Sequence, residues 1–336
     1  MICAEAVARY TRAMASTVDA AALPLIDRVP LAVCGAGLGL LGLAQAWMVA
    51  APRLGAPAGI GDALAVLGLA VAALIVAVQV VRTVRRPDLA RAELRDPVSG
   101  PVVGTAPMML SVAATVVLPF APEAALVLVL VAAALHTVVA LVVVCTWITA
   151  TVAIEHVHPG WFLPVAGVLT LVPPAVAVGQ TDVAWCAMGF GAVLWLPLFA
   201  LILVRLIRAE RLPNVYMPAL FVLFAPPALL FNAYVALTGG LDPFAHVVLH
   251  STTTTALLVA ALAPLWWRAP FTLVWWATTF PMAALTVALI TYVDLHGGAT
   301  GRAMAIVLLA ATTALVAVVL GRSLLALRAG TMFPRK

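Results

Sequence analysis

Long runs of apolar residues alternate with short polar connections along the whole chain. A helix needs about 20 predominantly apolar residues to cross the hydrocarbon core of a bilayer, and these runs have that length. The pattern predicts ten transmembrane helices, and therefore an all-α integral membrane protein. Their approximate bounds are 29–50, 61–82, 102–120, 124–149, 161–179, 183–207, 216–237, 244–265, 272–294 and 301–327.

Composition supports a membrane protein with several spans. The chain is 65% hydrophobic and 9% charged, whereas soluble domains carry about 25% charged residues. No connection is long enough to form a soluble domain. We therefore expect a cytoplasmic segment 1–28, a ten-helix domain 29–328 and a cytoplasmic tail 329–336. The first run is longer than a signal-peptide core, which indicates an uncleaved span. The four cysteines lack CxxC spacing, so no disulfide or zinc framework is expected.

The basic residues test this count of spans. With ten spans and a cytoplasmic N-terminus, 16 of the 18 lysines and arginines fall in cytoplasmic segments, and only Arg53 and Arg302 fall outside. Cytoplasmic loops of membrane proteins carry this kind of excess. The pattern places both termini in the cytoplasm of a multi-pass protein of the cell membrane. It also explains the net charge of +5 without a nucleic-acid partner.

Proline marks every second predicted span. Irregular backbone is tolerated in a membrane where it is buried in protein or lines a cavity. The pattern predicts five hairpins, each pairing a broken helix with a regular one, with the broken helices in a central ring and the regular ones facing lipid. The odd-numbered spans hold ten prolines and the even-numbered ones two. The ten are Pro30, Pro107, Pro119, Pro164, Pro173, Pro174, Pro218, Pro226, Pro227 and Pro281.

The ninth span carries the most suggestive of these positions. Phe280 precedes Pro281 in the middle of a segment long enough to cross a bilayer. A proline in a helix interior removes one N–H and costs about 3 kcal/mol. A large ring beside such a break suits a plug in a cavity. From this helix alone, a structural kink with Phe280 packed against its neighbours is an equally good interpretation.

Ionisable residues are nearly absent from the middles of the spans. Intramembrane carboxylates usually drive proton or sodium coupling, so their absence favours passive conduction over an ion-coupled carrier. Three histidines are exceptions. His136 lies on an even span, where we interpret it as an interhelical hydrogen-bonding residue. His246 and His250 share a helix face, but a metal site is disfavoured because no third ligand is apparent.

Two polar clusters remain. Glu155, His156 and His158 fall on a cytoplasmic connection, which we interpret as a solvated loop with a possible regulatory or metal role as the alternative. Thr252–Thr255 lies within the eighth span, where threonines are typical of helix packing. No cofactor is indicated, and the preference for anions or cations stays open at this stage.

Several short motifs, taken in their order along the chain, make the sequence resemble the tellurite-resistance/dicarboxylate transporter family. This family includes bacterial tellurite-resistance proteins and plant slow-type anion channels. The resemblance covers about residues 29–328. It rests on Val29–Pro30 followed by Gly35, Gly37 and residues 38–40; on residues 96–98 leading to Pro107; on residues 158–164; on residues 224–226 running to 233–234; and on residues 275–281.

The resemblance implies a quasi-fivefold bundle of ten helices, assembled as a homotrimer, with the odd helices around a pore. It implies a phenylalanine gate at Phe280 and kinks at Pro107, Pro164 and Pro226. Gly37 stands where the bacterial relatives are expected to have proline. Family members are described as anion channels or as carriers of malate and other dicarboxylates, sulfite or tellurite.

Three functions are consistent with these observations. The first is a passive anion channel closed by Phe280, with Gly35, Gly37, Pro107, Pro164, Pro226 and Pro281 as pore-lining or kink residues. The second is a proton-coupled exporter of dicarboxylates, sulfite or tellurite. The third, an enzyme or metal protein, is disfavoured. The missing mid-membrane carboxylates favour the channel.

Overall fold

A computed structural model describes residues 24–333 of the chain. Arg9, Arg12 and most of the expected segment 1–28 lie outside this range, as do residues 334–336. The regular structure within it is helical, without strands. The principal helices are α1 Leu31–Leu54, α2 Ala58–Arg85, α3 Gly100–Val117, α4 Pro122–Thr149, α5 Ala166–Ala177, α6 Thr181–Arg208, α7 Asn214–Thr238, α8 Pro243–Ala261, α9 Leu273–His296 and α10 Ala299–Arg328. Shorter helical turns are Leu25–Arg28, Pro87–Arg95, Ile154–His156, Pro159–Phe162 and Ala263–Trp266.

Within the described range, nine of these helices are long and apolar enough to cross a membrane, which confirms an all-α integral membrane protein. The exception is α5. Its six 3₁₀ residues and six α-helical residues together span only about 21 Å, at about 2.0 and 1.5 Å per residue. The chain at residues 163–165, which include Pro164, is not helical. The predicted fifth span is therefore interrupted, with the turn Pro159–Phe162 on one side of the break and α5 on the other.

The odd-numbered helices are buried and the even-numbered ones are exposed. In the most apolar 18-residue stretch of each helix, 56–72% of residues are buried in α1, α3, α7 and α9, against 22–33% in the even helices. The short α5 is also largely buried. Among residues 24–333, exposed large hydrophobic side chains within the spans are concentrated on the even helices. These helices form the surface that suits lipid.

The five odd helices close into a ring. α1 packs against α3, α3 against α5, α5 against α7 and α7 against α9, which returns to α1. Each even helix covers the groove between two neighbours in this ring, as α2 does between α1 and α3 and α8 between α7 and α9. The chain thus repeats one inner-outer hairpin five times, which is the quasi-fivefold arrangement that the resemblance implied.

The positions of the prolines explain why the inner helices are less regular than the outer ones. Each long inner helix begins as a 3₁₀ segment and continues as an α-helix, and the α-helical parts begin at Cys34, Thr105, Ala225 and Thr279. Pro107, Pro226 and Pro281 lie within the first three residues of their α-helical parts. The first N–H groups of an α-helix lack intrahelical partners, so proline there sacrifices no regular α-helical bond. The break expected at Pro281 is therefore a change of helix type.

Polar contacts fix the start of the first hairpin. Arg82 at the end of α2 forms a buried ion pair with Glu93 of the short helix Pro87–Arg95. The Glu93 carboxylate also accepts a hydrogen bond of 3.1 Å from the backbone N–H of Leu31, the first residue of α1. Gln79 donates to the backbone carbonyls of Val29 and Pro30. These bonds hold the entry to α1 against the end of α2.

Candidate functional site

A small cavity lies at the centre of the ring. Its volume, taken over positions that the centre of a water molecule can occupy, is about 20 Å³, which is room for one or two water molecules. The lining residues come from all five inner helices and from none of the outer ones. They are Gln45, Val112, Thr115, Leu169, Thr170, Pro173, Leu229, Asn232, Phe280, Ala284 and Val287.

Phe280 is part of this lining and is buried, with 6% of its surface exposed. Its ring lies against Gly42 of α1. A Cβ atom at Gly42 would fall 2.9 Å from Cδ2 of Phe280 and 3.1 Å from Cβ of Ala283. Both separations are shorter than the roughly 3.5–4.0 Å of ordinary carbon contacts. The absence of a side chain at Gly42 therefore lets the phenylalanine ring approach the α1 backbone.

The other predicted site residues pack around the ring of helices and are not part of the cavity lining. Gly35 faces Trp276 of α9, and Gly37 faces Met109 of α3. The prolines at 107, 164, 226 and 281 are all buried. Their positions at helix starts, or at the break before α5, fix where each inner α-helix begins. They therefore contribute to the shape of the cavity through the backbone.

Sequence reasoning missed four polar lining residues: Gln45, Thr115, Thr170 and Asn232. Asn232 of α7 donates from Nδ2 to the backbone carbonyl of Ala284, at 3.1 Å. Its Oδ1 is buried and makes no hydrogen bond to any residue in the range 24–333. Single amides and hydroxyls within apolar runs were the available signal, but the sequence did not indicate which of them point inward.

The lining contains no ionisable side chain. An ion pair joins Arg53 of α1 to Asp294 of α9, 3.3 Å apart and partly exposed at the helix ends. A neutral lining offers hydrogen bonds from amides and hydroxyls without a group that would bind and release a proton as part of transport.

His136 makes the interhelical hydrogen bond expected of it. Its Nε2 lies 3.2 Å from the backbone carbonyl oxygen of Pro164, and the side chain is buried between α4 and the break before α5. With Nε2 as the donor, the imidazole satisfies a carbonyl that the break leaves outside regular helix hydrogen bonding. This role is structural.

The prediction for the cytoplasmic connection needs correction at His158. His158 was expected in a solvated loop, but it is buried: its Nε2 lies 2.9 Å from the carbonyl oxygen of Val98, and its Nδ1 accepts from the N–H of Gly160. Desolvation by burial lowers the pKa of His158 to about 4. Because Nδ1 accepts a hydrogen bond, the neutral ring is the form that fits.

The histidine pair of α8 has more neighbours than the sequence suggested. His296 of α9 lies with its ring centroid 5.5 Å from that of His246. Tyr292 places its hydroxyl 3.3 Å from Nδ1 of His246. Nevertheless, no group of three or more potential ligands among residues 24–333 has the geometry of a metal site.

The tryptophans of residues 266–276 differ in their exposure. Trp267 is 73% exposed, but Trp275 and Trp276 are buried. Trp276 donates from Nε1 to the hydroxyl of Ser323 on α10, at 3.1 Å. These two side chains pack inside the protein because the α9 segment that carries them belongs to the inner ring.

A multi-pass helical bundle with a narrow neutral cavity enclosed by its inner helices has the architecture of a channel or transporter. Comparison with known proteins identifies the family. The profile of the voltage-dependent anion channel family matches residues 28–324. The chain belongs to this family, in agreement with the resemblance seen in the sequence.

Individual relatives are plant anion channels. The S-type anion channel SLAH2 of Arabidopsis thaliana is 30% identical over 131 residues, which cover 39% of this chain and 25% of the relative. The guard cell S-type anion channel SLAC1 of the same plant is 28% identical over 178 residues, or 53% of this chain and 32% of the relative. The chain therefore matches only a quarter to a third of the length of these relatives.

Proposed function

We propose that this protein is a passive, gated anion channel of the cell membrane, with Phe280 as its gate. The observation that carries the proposal is the composition of the central cavity. All five inner helices contribute to it, its lining has no ionisable side chain, and Phe280 is one of the lining residues. Membership of an anion channel family supports anions as the conducted species.

The proposed pore follows the axis of the inner ring, and the small volume of the central cavity supports a closed state. A cavity of about 20 Å³ cannot hold a partly hydrated anion. The cavity lies in the middle and C-terminal parts of the inner helices. With ten crossings and both termini in the cytoplasm, as the arginine distribution predicts, this is the extracellular side of the gate. We also propose that the channel is a homotrimer, as the resemblance implies.

Opening requires the Phe280 ring to leave its packed position. Burying a phenylalanine side chain is worth about 1.5–3 kcal/mol relative to exposing it. If this packing accounts for most of the closed-state preference, removing the ring raises the conducting fraction about 10–150-fold, because 1.36 kcal/mol corresponds to a factor of ten. Small anions such as chloride and nitrate should be the most permeant, and malate should test the upper size limit of the pore.

The test is a current measurement in planar bilayers or oocytes, comparing wild type with Phe280→Ala in chloride, nitrate and malate. The proposal expects a large, non-saturating anion current in the variant. Phe231→Ala is the matched control, since Phe231 is a fully buried phenylalanine of α7 that is not part of the cavity lining.

An unchanged current in folded, surface-expressed Phe280→Ala would rule out the gate. If both proteins were silent but vesicles showed saturable uptake driven by a proton gradient, the alternative of a coupled exporter of dicarboxylates, sulfite or tellurite would replace the channel. The neutral cavity lining argues against that outcome.

A further inference from the structure

One outer helix differs from the other four. The mean hydropathy of the most apolar stretch of α8 is 1.3, compared with 2.3–2.9 for α2, α4, α6 and α10. Yet α8 is as exposed as they are, since 28% of that stretch is buried, within the 22–33% of the others. A helix that faces lipid over most of its surface should be as apolar as its counterparts. The polarity of α8 therefore indicates contact with something other than lipid.

The polar residues lie on the exposed face. His250, Ser251 and Thr254 are all exposed, and their spacing places them on one side of the helix. In α8, exposed large hydrophobic side chains occur only above and below them, at Phe244, Val247, Leu257 and Leu258. The exposed face thus has a polar centre between two apolar ends.

This polar centre lies deep in the membrane. Thr254 is 11 residues beyond Pro243, where α8 begins, so it lies about 17 Å along the helix at 1.5 Å per residue. The hydrocarbon core is about 30 Å thick. Thr254 is accordingly near the middle of the core, beyond the reach of lipid headgroups.

The hydroxyls of this face are already satisfied within the helix. Thr254 donates to the carbonyl of His250 at 2.9 Å, and Ser251 donates to the carbonyl of Val248 at 2.8 Å. Both side chains are small, so they permit close approach of another helix, and their oxygens can still accept a hydrogen bond.

Of these three side chains, the imidazole of His250 is the one whose exposure to lipid costs the most free energy. Its ring is close to those of His246 and Tyr292, at centroid distances of 6.2 Å in both cases, but no hydrogen bond of this ring to residues 24–333 is observed. An imidazole in hydrocarbon loses its hydrogen bonds to water, so it is stable there only with a polar partner.

We propose that the exposed face of α8, centred on His250, Ser251 and Thr254, is the contact between copies of this chain in the membrane. Imidazole and hydroxyl groups both donate and accept hydrogen bonds, so copies of this face can hydrogen-bond to one another where they meet around a symmetry axis. It carries no carboxylate, lysine or arginine that would repel its own copy. The inference rests on the proposed homo-oligomer and identifies the surface that forms it.

The first test is site-specific photo-crosslinking in native membranes with benzoylphenylalanine at position 254. Matched controls carry the same group at Val138 of α4 or Val318 of α10, which are 55% and 57% exposed. The proposal expects adducts of twice the chain mass from position 254, several-fold more abundant than from either control, with both crosslinked peptides from this chain. Adducts no more abundant than the controls, or adducts to a different protein or to lipid, would overturn it.

The second test replaces the polar centre with leucine, using the triple variant His250→Leu, Ser251→Leu and Thr254→Leu. On a lipid-facing surface these changes would be harmless. At a subunit contact they should lower the oligomeric fraction measured by light scattering in detergent. A variant with the wild-type oligomeric fraction would contradict the proposal.

The outcomes separate this inference from the channel and the trimer. A stable oligomer whose position 254 fails to crosslink would refute the α8 contact and leave the trimer standing. A wild-type protein that is monomeric in native membranes and in detergent would refute both. The anion currents of Phe280→Ala test the channel independently of either result.

Discussion

The contact between Gly42 and Phe280 makes a sharp prediction about the gate. Gly42→Ala places a methyl group 2.9 Å from Cδ2 of the Phe280 ring, about 0.6–1 Å inside normal contact. The ring or the α1 backbone must move to accept it. Overpacking of this kind costs about 1–3 kcal/mol.

Phe280→Ala should relieve most of that strain. Without the ring, the nearest remaining neighbour of the new methyl group is Cβ of Ala283, at 3.1 Å. We expect Gly42→Ala to cost about 2 kcal/mol in the wild-type background and under about 1 kcal/mol in the Phe280→Ala background. The difference lies within the 0.5–3 kcal/mol coupling typical of residues in contact.

The assay is a double-mutant cycle on the unfolding free energy of the purified protein in detergent. It needs wild type, Gly42→Ala, Phe280→Ala and the double variant. Anion current provides a second measurement, in which the double variant should conduct like Phe280→Ala because the methyl group has no ring to displace.

Gly37→Ala is the matched control on the same helix. The three atoms nearest to its new Cβ belong to the flexible thioether of Met109 on α3 and to Ile75 on α2, and none of them belongs to Phe280. Its effect should therefore add to that of Phe280→Ala. If Gly42→Ala and Phe280→Ala were also additive, the ring would not lie against Gly42, and the packing argument for a closed gate would be wrong.

Other parts of the structure yield three more predictions. Because burial lowers the pKa of His158 to about 4, the unfolded chain binds a proton that the folded one does not between that pH and ~6.5. The free energy of unfolding should therefore fall by up to about 3 kcal/mol as pH drops through this window. If His158→Gln lost as much stability as the wild type over the same pH range, measured by thermal unfolding, this explanation would be contradicted. Glu93→Gln leaves Arg82 buried without its carboxylate partner and should lower the free energy of unfolding by about 3–5 kcal/mol. The control Asp88→Asn, at an exposed position, should leave it unchanged. Equal losses of stability in the two variants, measured by chemical unfolding, would contradict the argument. His136→Leu should cost about 1–3 kcal/mol by orphaning a carbonyl without altering the pH dependence of anion flux, and a lost proton drive in vesicles would instead favour the coupled exporter.

Much of the fold could be predicted from the sequence because its signals are local. The lengths of the apolar runs predicted membrane spans, and nine of them are confirmed as helices long enough to cross. The alternation of proline distinguished the inner helices from the outer ones, because only buried backbone tolerates irregularity in a membrane. Phe280 stood out as a ring beside such an irregularity, and it is part of the cavity lining.

The composition of the cavity was decided by tertiary structure. The inner helices are apolar around most of their circumference, so periodicity does not reveal which side faces the axis. Gln45, Thr115 and Asn232 became visible as lining residues only once the ring had closed. Gly42 was recognised as the support for the Phe280 ring in the same way.

Polar residues were misjudged where their partners are distant in sequence. His158 looked like a loop residue, but Val98, 60 positions away, holds it in a buried hydrogen bond. The polarity of α8 is visible in the sequence, whereas its exposure is visible only in the structure. The sequence by itself determined the membrane fold and the division into broken and regular helices, because these depend on local chain chemistry. Tertiary structure decided what lines the cavity and which polar groups face outward, because both depend on how each helix is rotated against its neighbours.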